Sequence, residues 1–108
     1  MVPQVQQHRA QIAALCQAHG VRRLELIGSA ARGDFDPARS DFDFLVEFED
    51  DAVSGLSNRY FGVLFGLEDL LKRKVDLIRV SPATDQRFVV VARRHLDVVY
   101  DAGSPQAA

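Results

Sequence analysis

Two carboxylates stand two residues apart in the run Ser40-Asp41-Phe42-Asp43-Phe44. In an extended strand such positions project to the same side, so Asp41 and Asp43 point together while Phe42 and Phe44 anchor the opposite face. Carboxylates held this close repel one another, and desolvation adds to the cost. A hard divalent cation relieves both penalties. An all-oxygen ligand set suits Mg²⁺, which takes one or two carboxylates together with substrate phosphates. A two-ion site, with metals about 3.5–4 Å apart, could share the same pair. Taken alone, Asp-x-Asp is equally the polar side of an ordinary amphipathic strand.

Upstream, Gly28-Ser29 closes an apolar run. Glycine at a strand end allows a tight bend and close approach of backbone to a ligand. Ser29 can cap a short following helix, whose first N–H groups suit a phosphate. Gly-Ser bends are common, so this feature also has a bland reading. Downstream, Asp76 sits between Val75 and Leu77. An acid flanked by apolar residues is poorly suited to burial unless a positive group meets it; a neighbour such as Lys74 or Arg79 could serve, and so could a metal.

Other polar residues read as surface. His8, His19 and His95 are scattered and suit helix ends better than a metal site. Lys72, Arg73, Lys74, Arg79, Arg93 and Arg94 could form a basic patch near a substrate, but a solvated surface is the simpler reading. Asp34, Asp36, Asp50 and Asp51 read as loop solvation, and Cys16 as a small core hydrophobe.

These residues need elements to hold them. Pro3 to His19 carries Val5, Ile12, Leu15 and Cys16 on one stripe, which predicts a helix ending at Gly20. Val21 to Ile27 reads as a strand, with Leu24 and Leu26 on one face and Glu25 between them. Asp41 to Phe48 is the clearest strand, with Phe42, Phe44, Val46 and Phe48 alternating against Asp41, Asp43, Leu45 and Glu47. An acidic loop from Glu49 to Ser57 leads to a helix over Asn58 to Arg73, where Gly62 and Gly66 weaken helix propensity but permit close packing. Lys74 to Val80 reads as a strand, Pro82 to Arg94 as a helix opened by Pro82 and Thr84, and Asp97 to Tyr100 as a last strand. The order predicts an α/β (α+β) domain, a small mixed sheet flanked by helices. The link between the first two strands is too short for a helical crossover, so they should be antiparallel neighbours.

The 108 residues suffice for one domain, expected over 1–100 with a frayed tail over 101–108. The formal net charge of -2 gives no global basic field, which argues against a protein that mainly grips nucleic acid. A single cysteine excludes an internal disulfide and fits a reducing cytoplasm. No apolar run reaches membrane-spanning length, and Met1 to Gln11 lacks the core of a signal peptide.

The combined run Gly28-Ser-Ala-Ala-Arg-Gly-Asp-Phe-Asp-Pro-Ala-Arg-Ser40-Asp41-Phe-Asp43 resembles the Gly-Ser…Asp-x-Asp signature of the DNA polymerase β-like nucleotidyltransferase superfamily. With Gly-Ser-x-Ala-Arg-Gly followed by Ser-Asp-x-Asp, it is most similar to the minimal nucleotidyltransferases, the MNT family. Many of these are antitoxins of HEPN–MNT toxin–antitoxin pairs. The segment Ala30 to Ser40 is one residue longer than is usual there, and Pro37-Ala38-Arg39 is the natural place for the extra residue.

The resemblance implies a polymerase β-like fold and a set of roles. Asp41, Asp43 and Asp76 would be the catalytic carboxylates and the ligands of two Mg²⁺ ions, with Asp76 helping to deprotonate the attacking hydroxyl. Gly28 and Ser29 would cradle the β- and γ-phosphates of ATP, and Arg32 would offset their charge. It further implies transfer of AMP to a tyrosine of a HEPN-family toxin, within a hetero-oligomer. The other reading is a non-catalytic antitoxin that neutralises its toxin by binding alone. A small-molecule nucleotidyltransferase ranks lower, because such enzymes use an additional helical domain for the acceptor.

Overall fold

Alternation of large apolar side chains commits Val21–Ile27 (β1) and Phe42–Phe48 (β2) to strands, and they pair antiparallel, as the short connection requires. Val75–Arg79 (β3) joins β2 in parallel, and Asp97–Asp101 (β4) joins β1 antiparallel. The result is a four-stranded mixed sheet in the order β3-β2-β1-β4. The structure, a computed structural model, describes residues 1–49 and 55–103. The acidic pair Asp50 and Asp51 and the residues 104–108 of the expected tail lie outside the described residues.

Helices cover both faces. On one lie Pro3–Gln7 (α1), Arg9–Ala18 (α2) and Leu56–Leu71 (α4), packed over a core that includes Phe42, Phe44, Val46, Leu24 and Leu26. Phe42 and Phe44 are fully buried. Gly62 and Gly66 let α4 approach α2 closely: a Cβ at Gly66 would stand 2.6 Å from the Leu15 side chain, and one at Gly62 2.3 Å from His19 Nε2. On the opposite face, the shorter Gln86–Ala92 (α5) presses Val89 against Ile27, Leu45 and Val80. Leu45 is therefore as buried as the phenylalanines beside it, and β2 is a central strand with two covered faces.

Several expected boundaries move. The helix expected over Pro3 to His19 is two helices, interrupted at His8, whose ring Nδ1 meets the Gln4 carbonyl at 2.8 Å. His19 caps the end of α2 in the same way through the Leu15 carbonyl. The last helix starts at Gln86 rather than Pro82. Ser81 and Thr84 close a turn on one another, and Asp85 becomes the N-cap, accepting from the Arg87 N–H at 2.9 Å. β2 starts at Phe42, so Asp41 is the last residue before the strand. β4 runs to Asp101, whose carboxylate pairs with Arg23 at 2.9 Å.

Arg93, expected on a solvated basic surface, instead sits in an ion-pair network. Its guanidinium donates to Glu25 and Glu47 at 2.9 and 2.8 Å. Glu25, 2% exposed, also receives Arg23 at 2.9 Å. Burial of a carboxylate on a central strand is tolerated here because both oxygens meet a guanidinium. Cys16 is buried, and desolvation pushes its thiol up to about 12, consistent with a core role.

Candidate active site

The end of the sheet where β1 finishes and β2 and β3 start gathers the acids. In the antiparallel pair, Ile27 faces Asp43; in the parallel pair, Asp43 faces Asp76. Directly paired residues share a face, so the two carboxylates rise side by side from neighbouring strands. Asp41 comes from the residue just before β2. Asp43 is half-buried, while Asp41 and Asp76 are exposed.

Gly28 makes the close approach possible. It follows β1 directly and opens the short helix Gly28–Arg32 (α3) with φ at +68°. A Cβ at this position would stand 2.4 Å from Asp43 Oδ2. Glycine is thus required twice, for its left-handed backbone and for the space its missing side chain leaves to the carboxylate. Ser29 is the next residue of α3, and its carbonyl accepts the N–H groups of Gly33 and Asp34 at 3.0 and 3.2 Å. Arg32 ends α3, pairing at 3.5 Å with the exposed Asp34.

The electrostatics report the same convergence. The Asp43 carboxyl is pushed up from its usual range, first by desolvation, then by the charges of Asp76 and Asp41, with Arg32 acting in the opposite direction. Asp76, Asp41 and Arg32 therefore all lie within electrostatic reach of Asp43. Among the described residues, no three His, Cys, Asp or Glu side chains are gathered tightly enough to grip an ion unaided. Mg²⁺ uses few protein carboxylates and completes its shell with water and substrate phosphates. The half-buried, charge-crowded Asp43 is an oxygen donor that gains from a cation, so the donor set fits the metal.

Two neighbours make contacts at the site that the sequence did not show. Tyr60, on α4, donates its hydroxyl to the Leu77 carbonyl and feels the Asp76 charge, which, after desolvation, raises its pKa. Arg73 reaches the loop before Asp41, donating to the Pro37 and Ser40 carbonyls. Both depend on contacts 17 to 36 residues apart in the chain, which local pattern cannot reveal. A groove of about 390 Å³ lies at the opposite end of the sheet, lined by residues including Arg22, Glu47, Ser81 and Arg93. It does not include the acids. No helix among the described residues is long and apolar enough to cross a membrane.

Comparison with known proteins agrees with this geometry. The model of the nucleotidyltransferase domain family matches residues 8–99, which include all the acids and the Gly28 bend. A solved protein assigned as a minimal nucleotidyltransferase superposes with a TM-score of 0.67 at 28% identity, over 85% of this chain and 89% of that one. A chain from a toxin–antitoxin crystal structure with AMP-PNP gives 0.66 at 17% identity, over 87% and 73%. A chain from the Shewanella oneidensis complex of a tri-AMPylated HEPN toxin with its MNT antitoxin gives 0.62 at 15% identity, over 92% and 74%. The last two likenesses are of fold. No curated protein matches the chain. The family match across most of the chain, together with the mixed sheet and the acids beside a Gly-Ser bend, leads to one conclusion: this chain belongs to the nucleotidyltransferase domain family.

Proposed function

We infer that the chain is an antitoxin that transfers AMP from ATP to a tyrosine hydroxyl of a HEPN-type toxin. The observation that carries this reading is the pairing of Asp43 with Asp76 across β2 and β3, beside the cradle at Gly28. The fold likeness to a chain of an AMPylated HEPN toxin complex supports the choice of acceptor.

In this reading Asp41, Asp43 and Asp76 hold Mg²⁺. The metal supplies charge neutralisation at the phosphates and lowers the pKa of the attacking group. The N–H groups around Gly28 and Ser29 orient the β- and γ-phosphates, and Arg32 offsets their charge. The acceptor oxygen attacks the α-phosphorus, the bond to the β-phosphate oxygen breaks, and pyrophosphate leaves. Asp76 takes the proton from the acceptor hydroxyl. Asp41 and Asp43 would hold the metal that binds the triphosphate and so keep the α-phosphorus in line.

The test is the intact mass of a HEPN-type toxin after incubation with the chain, ATP and Mg²⁺. The reading expects adenylyl additions on a tyrosine, absent with the double variant Asp41→Asn, Asp43→Asn. Suppression of the toxin by that variant, with the toxin mass unchanged throughout, would instead identify neutralisation by binding alone.

A further inference from the structure

The loop from Gly33 to Asp41 lies outside regular secondary structure, yet it delivers the first acid of the site. Its second half is a tight turn built on Asp36. The Asp36 carbonyl accepts the N–H groups of Arg39 and Ser40 at 3.0 and 2.8 Å, its carboxylate accepts Ala38 N–H at 2.9 Å, and its own N–H donates to Ser40 Oγ at 2.9 Å. None of these bonds uses the Pro37 or Ser40 carbonyls, and Arg73 takes both, one through each terminal nitrogen. Arg73 stands two residues after the end of α4, following Lys72, whose φ of +55° turns the chain back toward the loop. The next tie is the Phe42 N–H to the Lys74 carbonyl at 3.3 Å, and Val75 N–H is held by Glu68 at 3.2 Å. The start of β2 and the start of β3 are thus fastened together on both sides of Asp41, two and three residues before Asp76.

We propose that Arg73 is a positioning residue that fixes Asp41 relative to Asp76 through the Pro37 and Ser40 carbonyls. A planar guanidinium offers two donors at a fixed separation, which the single ammonium of lysine does not. The two carbonyls lie near solvent and can be hydrated when Arg73 is removed, so the fold loses little. The acid loses its register, and misplacement by about 1 Å can cost up to about a hundredfold in such sites. The proposal rests on the metal-binding reading of Asp41, Asp43 and Asp76.

The experiment compares wild type, Arg73→Ala, Arg73→Lys and Asp43→Asn by two measurements on the whole chain. One is Mn²⁺ binding in the presence of ATP, followed by electron paramagnetic resonance; the other is amide hydrogen exchange. Arg73→Ala is expected to weaken Mn²⁺·ATP binding about tenfold and to speed exchange at Ser40 and Phe42 about tenfold, with Tm and exchange in β1 unchanged. Arg73→Lys should fall with Arg73→Ala. Retention of both readouts by the lysine variant would overturn the proposal in favour of simple charge, and retention by the alanine variant would overturn it outright. If wild type and Asp43→Asn bind Mn²⁺·ATP equally, the metal reading fails; exchange at Ser40 and Phe42 then decides alone whether Arg73 holds the loop.

Discussion

Asp43 carries the largest electrostatic burden of the site. The folded protein holds its proton more tightly than the unfolded chain does, because burial and the charges of Asp76 and Asp41 disfavour the carboxylate. A group with a raised folded pKa lowers stability as pH climbs from its unfolded value through its folded one. The cost is therefore absent in acid, below the usual Asp range near 4, and grows as pH rises through the raised folded value. Asp43→Asn should raise the Tm of the metal-free protein at pH 7 and leave it unchanged at pH 3. Added Mg²⁺ and ATP should raise the Tm of wild type and not of the variant. Thermal melts at both pH values, with and without EDTA, check this. A variant less stable than wild type at pH 7 without metal would contradict it. At this scale, much of the candidate site's arrangement was legible. Period-two spacing put Asp41 and Asp43 on one side, and the apolar flanks of Asp76 marked a strand acid. Arg73 and Tyr60 were not legible, because their partners become neighbours only once α4 and β3 pack.

Among the elements, β2 shows where local pattern stops. Its alternation foretold the phenylalanine face. The second face became visible only through α5, which buries Leu45 and closes the Glu25–Arg93–Glu47 network. The break of the first helix at His8 was hidden because the apolar stripe continues across it. The network makes a prediction of its own. Arg93→Met leaves Glu25 buried with Arg23 as its remaining partner, and should cost about 2 kcal/mol, read as a Tm lower by roughly 8–12 °C. Pairing it with Glu25→Leu should recover most of the loss, since removing both charges spares the burial penalty. A Tm for Arg93→Met within about 1 °C of wild type would show the ion pairs to be dispensable.

For the molecule as a whole, the sheet separates two tasks. One end holds the buried ion pairs that tie α5 to the central strands. The other gathers Asp41, Asp43 and Asp76 around the Gly28 bend. The antiparallel β1–β2 step and the parallel β2–β3 step together produce that gathering, since they set the end of β1 and the starts of β2 and β3 at the same end of the sheet. The mixed α/β class and that antiparallel step were readable from element order and loop length. The strand order was not, because pairing partners depend on how the helices pack. The account's central claim is that these acids act together on metal-bound ATP. Calorimetric titration of ATP into wild type and into Asp41→Asn, Asp43→Asn and Asp76→Asn, with and without Mg²⁺, tests it most directly. The account predicts binding only with the metal and a loss of at least about tenfold for each substitution. Equal binding without Mg²⁺, or undiminished binding by Asp76→Asn, would contradict it.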